Sequence, residues 1–410
     1  MARGIAIFVA AFAIYTATAL FIFHRTHSPQ LAYFDHLAAA FLRGELYLVA
    51  PPANYDLTLH NGRWVVPFPP LPALLMLPFV ALFGVGGFNT ALFSAAIAAL
   101  NVSLVYAMLR ALAARGWSRL GRGDALWLTA LFGWGSTHWL LATIGTVWFV
   151  SQICMATFVL LAVLVAISIR DIRWAAIGAG AALAVAMLAR PHIAVVWPML
   201  ISSLMQRTND EVAAARRNGN GGFSRLLTTS LLPMIAAVVV LLLYNLARFG
   251  NLFDFGYITQ NVTPGLRSDL HTFGQFSLHY WARNAWAMLA ALPTINAHGG
   301  WPAIDPQGLS LLLTMPALVY LTQAIKVRRA RLVMIGVWSA LALTLFVLLS
   351  YYNTGGAQFG YRFSLDFLPE ILVLLACALP SVSRPMRVLI VIGVAVNAYG
   401  VVWFTRFAGI

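Results

Sequence analysis

The chain has 410 residues, of which 61% are hydrophobic and only 9% charged, with a mean hydropathy of +0.82. A soluble domain carries about 25% charge, so no water-soluble arrangement covers this much apolar surface, and the chain reads as an all-α polytopic membrane protein forming a single domain over residues 1–410. The net charge of +14 does not indicate a nucleic-acid partner, because the basic residues stand at the ends of apolar runs and do not line one face.

A membrane span needs about 20 apolar residues. On that measure the candidates are residues 4–23, 88–109, 124–143, 148–169, 174–189, 191–205, 226–247, 307–325, 331–350, 368–380 and 387–405, eleven in all. The first of them runs into His24-Arg25-Thr26-His27 with no small-residue cleavage site, which predicts a retained span and not a removed signal peptide. Leu71 to Phe83 is ambiguous: 13 residues with two prolines suit either a twelfth span or an interfacial helix. Charge decides between them. If that run lies on the outer surface, then Arg3 and the basic residues of the loops at 110–122, 170–173, 207–225, 326–331 and 384–387 share one side, 17 of the 26 in the chain. The positive-inside rule then places the N-terminus in the cytoplasm and the C-terminus outside the plasma membrane. All nine histidines and eight of the twelve acids fall on or near the outer side in this arrangement, an asymmetry that also follows if histidines merely collect at interfaces. Three outer segments stand out, 24–87, 248–306 and 351–367, and are expected to pack as a vestibule; on the other side the ARRNGNGGFSR stretch reads as a flexible connector.

Within the first outer segment, YFDHLAAAFLRGELY (33–47) is amphipathic and carries Asp35 and His36. A carboxylate near the dielectric boundary has its pKa raised by desolvation, which suits a general base; the alternative is that Asp35 caps its helix or pairs with Arg43. Asp56 sits in NYDLTLHNGRW among Tyr55, His60, Arg63 and Trp64, the mixture of rings and hydrogen-bonding groups that a sugar needs, although a plain turn residue fits equally. The PFPPLP that follows cannot be ordinary helix. Further on, Arg190 lies where two spans meet, Arg248 ends a span in YNLARFGNLFDFGY with Tyr257, and Arg362 lies in QFGYRFSLDFLP with Gln358, Tyr361 and Asp366. Arginines at this level can hold a phosphate bidentately; equally, Arg248 can snorkel and Arg362 can pair with Asp366 four residues on. Cys154 and Cys377 lie in apolar runs and form neither a metal spacing nor a disulfide framework. No particular cofactor is indicated. A divalent metal has weak support, since His24, His27, Asp35 and His36 make no dense ligand cluster, and the absence of a Walker loop, a dinucleotide fingerprint or GxSxG argues against a nucleotide substrate.

Taken in order, YFDHLAAAFLRGELY, NGRWVVPFPPLPALLMLPFVALFG, THWLLATIGTVWF, LARPHI, YNLARFGNLFDFGY and QFGYRFSLDFLP resemble the GT-C superfamily of integral-membrane glycosyltransferases, the group of protein mannosyltransferases and aminoarabinose transferases that use polyprenyl-phosphate sugars. The resemblance implies that Asp35 is the general base, that outer basic residues hold the donor phosphate, and that the partners are a polyprenyl-phosphate sugar donor, the bilayer, and an acceptor glycan, lipid or protein. It has two departures: the first-loop acid pair is Asp35-His36 here, and the HPP of the mannosyltransferases is Phe68-Pro69-Pro70. The expected activity is inverting transfer of the sugar to an acceptor hydroxyl on the outer face. A transporter or flippase of a lipid-linked sugar is the alternative, and predicts ionisable groups along a midplane path; a noncatalytic scaffold is a third reading.

Overall fold

The computed structural model describes residues 2–215, 223–294, 304–327 and 329–407; residues 216–222 of the expected ARRNGNGGFSR connector lie outside them. The expected class is what the structure has. Helix follows helix, and among the described residues the only named strands are a three-residue hairpin, β1 (Thr58–His60) and β2 (Arg63–Val65), turned by Asn61-Gly62.

In chain order the helices are α1 (Ala2–Ala17, extended by a π-helical turn to Ile22), α2 (Tyr33–Leu42), α3 (Leu71–Gly87), α4 (Thr90–Ala114), α5 (Arg122–Gly133), α6 (His138–Ile144), α7 (Val147–Ser168) and α8 (Ile172–Met187). There follow α9 (Trp197–Ala215), α10 (Phe223–Phe249), α11 (Pro264–Phe273), α12 (Trp281–Ala285), α13 (Leu311–Thr314), α14 (Arg331–Ser350), α15 (Leu368–Ala378) and α16 (Arg384–Phe404). Among the described residues six stretches are long and apolar enough to cross a membrane: Ala2–Ile22, Thr90–Ala114, Val147–Ser168, Ser224–Phe249, Arg331–Ser350 and Arg384–Phe404. Helices α3, α8 and α15 are apolar but shorter.

Two stretches expected as single spans are broken. The run at 124–143 divides into α5 and α6 at Gly133-Trp134-Gly135, and the carbonyl freed at Gly133 accepts a hydrogen bond from the Tyr15 hydroxyl of α1 at 2.8 Å. The run at 307–325 becomes α13 and a 3₁₀ stretch, Pro316–Lys326. Proline forces Met315 out of helical geometry, and the freed Thr314 carbonyl takes a bond from Asn397 of α16 at 2.8 Å. In both places a neighbouring helix satisfies the interrupted backbone, as it must where water is absent.

Helix α7 lies at the centre, packed against α4, α8 and α9, and most of its side chains are buried. Outward faces are apolar instead: Phe21 is 74% exposed, Leu82 77% and Leu232 68%, surface that hydrocarbon tolerates and water does not. Between helices the contacts rest on small residues and isolated polar pairs, such as the 2.6 Å bond from Thr157 of α7 to Asn101 of α4. A Cβ at Gly180 of α8 would come 2.1 Å from the Ser230 carbonyl oxygen of α10, whereas one at Gly4 meets nothing within 4 Å. Gly180→Ala is therefore expected to cost about 1–3 kcal/mol by overpacking and to lower the thermal midpoint in detergent, with Gly4→Ala unchanged beside it.

Three connecting segments meet at one end of the bundle. The Asp56 amide donates to the Asn261 carbonyl and the Asn261 amide to the Leu57 carbonyl, each at 2.8 Å, while Ser277 donates to Ser350 at 2.8 Å and Tyr352 to Gln275 at 3.0 Å. The doubtful segment at 71–83 is helix α3, with Pro78 inside it, lying against α2 through Ala73, Met76 and Val80.

Candidate active site

The prolines in Pro67-Phe68-Pro69-Pro70 offer no amide donors, so this strand is fixed from outside. Arg248, at the end of α10, does this: its Nη1 donates to the Val66 carbonyl at 2.5 Å, its Nη2 to Asn245 Oδ1 at 2.7 Å, and its guanidinium lies 4.0 Å from the Tyr244 ring centroid. The Leu71 amide then ties the strand to the end of α8 through the Leu188 carbonyl at 3.0 Å.

Against this strand opens a mainly apolar cavity of about 700 Å³. Its polar lining includes Asp56, Arg190, His192 and Arg362, the phenols of Tyr55, Tyr257, Tyr351 and Tyr352, and the indole of Trp148. Phe68, Phe255, Phe276 and Phe363 supply much of the apolar wall. A second, shallower apolar depression, bordered by Leu278 and Phe346, shares His192, Phe276 and Val347 with the first.

Asp56 is the one carboxylate lining the cavity among the described residues, and it is 8% exposed. Its backbone is left-handed, φ 63°, and is held by the Asn261 bond and by Gln260, whose side chain donates to the Asp56 carbonyl oxygen at 3.1 Å. Burial pushes its pKa up to about 7, against a hydrogen bond from the Trp148 side chain and the charge of Arg362.

The two cavity arginines belong to one network. Arg190 Nη2 lies 3.0 Å from Asp366 Oδ2, which also accepts from His192 Nε2 at 2.9 Å, while Asp366 Oδ1 accepts from Gln152 Nε2 at 2.8 Å. Gln152 turns its oxygen to Arg362 Nη1, also at 2.8 Å, and Arg362 Nε donates to the Gly355 carbonyl at 2.6 Å. The helix-spaced pairing of Arg362 with Asp366 is thus replaced by a link through the Gln152 amide. Both guanidinium carbons lie within cation–π reach of the Phe363 ring, at 4.5 Å for Arg362 and 5.3 Å for Arg190. Burial, and then the like charge of Arg190, bring Arg362 down to about 10, still cationic at neutral pH. At Asp366 burial works against ionisation, but Arg190 and the His192 and Gln152 hydrogen bonds outweigh it and hold the carboxyl below its usual range. Burial raises the phenols of Tyr257 and Tyr351, so they face the cavity as donors.

Of the residues singled out from sequence, Asp56, Arg190, Tyr257 and Arg362 line this cavity. Asp366 and Gln358 stand behind it; Gln358 accepts from the Arg362 amide at 2.8 Å and donates to the Gln307 carbonyl at 2.7 Å. Tyr361 is buried with its hydroxyl unpartnered. His60 and Arg63 belong to the hairpin, His60 edge-on to Phe249 and Arg63 4.3 Å from the Tyr47 ring. Asp35 does not line the cavity: it is fully buried in α2, its Oδ1 accepts from the His36 amide at 2.8 Å, and its Oδ2 makes no hydrogen bond of normal geometry. Burial pushes Asp35 up to about 7 as well, only partly opposed by the His36 amide and the Ser28 hydroxyl, and it lowers the neighbouring His36. Its helix nonetheless touches the site wall, for Tyr33 donates to the Tyr55 carbonyl at 2.7 Å, one residue before Asp56. Arg43 pairs with Glu45 at 2.9 Å and not with Asp35. Among the described residues no three His, Cys, Asp or Glu side chains converge as a metal site. Sequence reasoning passed over Gln152, Trp148, His192, Tyr351 and Tyr352; the signal for Gln152 was available, as a lone amide in an otherwise apolar stretch of α7.

The bundle of long and broken helices, with connecting segments folded over a cavity at one end, is a fold shared with solved structures. ArnT from Cupriavidus metallidurans, in a crystal structure bound to undecaprenyl phosphate, is similar with a TM-score of 0.53 and 14% identity, over 96% of this chain and 63% of that one; the same protein in the apo state is similar at 0.52 and 14%, over 91% and 59%. The present chain therefore corresponds to about three fifths of the length of that neighbour. No protein-family model matches the chain, and no curated protein does.

Proposed function

We propose that the protein is an integral-membrane glycosyltransferase of the plasma membrane that moves a sugar from a polyprenyl-phosphate donor to an acceptor hydroxyl, with inversion, on the outer face. The observation that carries this reading is the placement of one carboxylate of raised pKa, Asp56, in the same cavity as the cationic Arg190 and Arg362. The distribution of basic residues between loops supports the N-terminus in the cytoplasm and the cavity outside.

In the reaction the acceptor oxygen forms a bond to the anomeric carbon while the bond from that carbon to the phosphate oxygen breaks, its electron pair leaving with the polyprenyl phosphate. Asp56 takes the acceptor proton, and Arg362 and Arg190 stabilise the charge that builds on the phosphate. The aromatic lining, with Tyr55 edge-on to Trp148 and Phe68 edge-on to Tyr257, suits the apolar faces of a sugar ring. A second reading keeps Asp35 as the base, as the family resemblance implies; its raised pKa and unpartnered Oδ2 favour it.

The test is transfer by purified protein from candidate polyprenyl-phosphate sugars, comparing wild type, Asp56→Asn and Asp35→Asn. Loss in Asp56→Asn with activity kept in Asp35→Asn supports the cavity carboxylate, and the reverse pattern supports Asp35. If the intact lipid-linked sugar only changes leaflet and no lipid phosphate is released, the protein is a flippase.

A further inference from the structure

The loop Asn353-Thr354-Gly355-Gly356-Ala357-Gln358 has so far served only as wall, yet its construction is specific. Residues 353 and 355–357 line the cavity beside Arg362. The loop is fastened at several points: the Gly355 amide donates to Asn353 Oδ1 at 2.8 Å, Gln358 Nε2 to the Thr354 carbonyl at 3.0 Å, and Arg362 Nε to the Gly355 carbonyl at 2.6 Å. Both glycines have positive φ, +131° at Gly355 and +65° at Gly356; a Cβ at Gly355 would also run into the end of the Gln358 side chain, whereas one at Gly356 would meet nothing within 4 Å.

What this fastened tip leaves over is donors. The amide N–H groups of Gly356 and Ala357 have no acceptor among the described residues. Beside them Arg362, 5% exposed, spends Nε and Nη1 on the loop and Gln152, while its Nη2 makes no hydrogen bond among the described residues. Consecutive backbone amides presented by a turn with positive φ form an anion-binding concavity, and an adjacent guanidinium strengthens it.

We propose that the Gly356 and Ala357 amides, together with Arg362 Nη2, form a cradle for a phosphate oxygen of the lipid-linked donor, holding the group that leaves in the transfer. This rests on the reading that a polyprenyl-phosphate sugar occupies the cavity. Fixed amide dipoles need no reorganisation as charge develops, so the cradle acts in the transition state as well as in binding.

The test is amide NMR on deuterated protein in nanodiscs, labelled with ¹⁵N-glycine and ¹⁵N-alanine, with the two resonances assigned by their loss in Gly356→Ala and Ala357→Ser. Polyprenyl phosphate is titrated in, with its own ³¹P signal reporting binding and polyprenol of equal length as the phosphate-free control. The expected result is a saturable downfield shift of both amide protons with the phosphate and none with polyprenol. If the ³¹P signal reports binding while both amides stay in place, or if polyprenol moves them equally, the cradle is wrong and the donor reading survives. If the ³¹P signal reports no binding at all, both are wrong.

Discussion

Asp56→Asn is expected to lower kcat by about 10²- to 10⁴-fold, the usual range for removing a general base, with donor affinity little changed. The amide is nearly isosteric and cannot accept the acceptor proton, while Arg190 and Arg362 keep their partners behind the cavity. The wild-type rate should rise with pH through about 7, where Asp56 ionises, and a bound donor phosphate moves that limb upward by like-charge repulsion. Asp35 has a similarly raised pKa, so the limb by itself does not choose between the two acids. The variants do: the limb disappears with Asp56→Asn if Asp56 is the base and persists in Asp35→Asn. Stability supplies the control. A carboxyl whose pKa is raised by folding contributes stability that is complete below its unfolded pKa and is lost as pH rises through about 7. Both asparagine variants should therefore unfold no more easily than wild type at pH 8, which separates lost chemistry from lost structure.

Scarcity made much of this site legible. In a chain with 9% charge every acid and arginine near an apolar run is conspicuous, and Asp56, Arg190 and Arg362 stood out for that reason. Rank among them was not legible. Arg190 and Arg248 both stand at the ends of apolar runs; the difference is that Val66, 182 residues before Arg248, presents a carbonyl that takes its guanidinium into the wall. Asp35 and Asp56 likewise differ by tertiary placement, one on the packed face of α2 and the other opening on the cavity. The fold class followed from hydropathy alone, yet the breaks at Gly133-Trp134-Gly135 and before Pro316 were hidden inside windows whose mean remained apolar, because the groups that make them tolerable, Tyr15 and Asn397, lie on other helices. Gln152, the amide that couples the arginines, was hidden by the same averaging.

Asp366→Asn is expected to raise the KM for donor about 10- to 100-fold and to cost about 3–5 kcal/mol of stability, although Asp366 does not line the cavity. Its carboxylate is fully buried and accepts from Arg190, His192 and Gln152 together. Asparagine keeps the shape but removes the charge that balances Arg190, and turns an N–H₂ group toward one of three donors. Arg190 then stands without a counter-charge, and Gln152 keeps only the Arg362 carbonyl, at 3.2 Å, as acceptor for its Nε2, which weakens its hold on Arg362. Both arms of the proposed phosphate site loosen from one change. A merely structural role would lower the thermal midpoint alone; a positioning role also moves KM. The double variant Arg190→Gln with Asp366→Asn removes the uncompensated charge, so it should recover part of the lost stability while donor binding stays weak. Gln152→Ala should act on the Arg362 side only and cost less stability, since it breaks hydrogen bonds and leaves the Arg190–Asp366 ion pair standing at 3.0 Å. Thermal unfolding in detergent and donor titration on the four proteins measure both quantities, and equal KM values across the set would leave Asp366 a structural residue only.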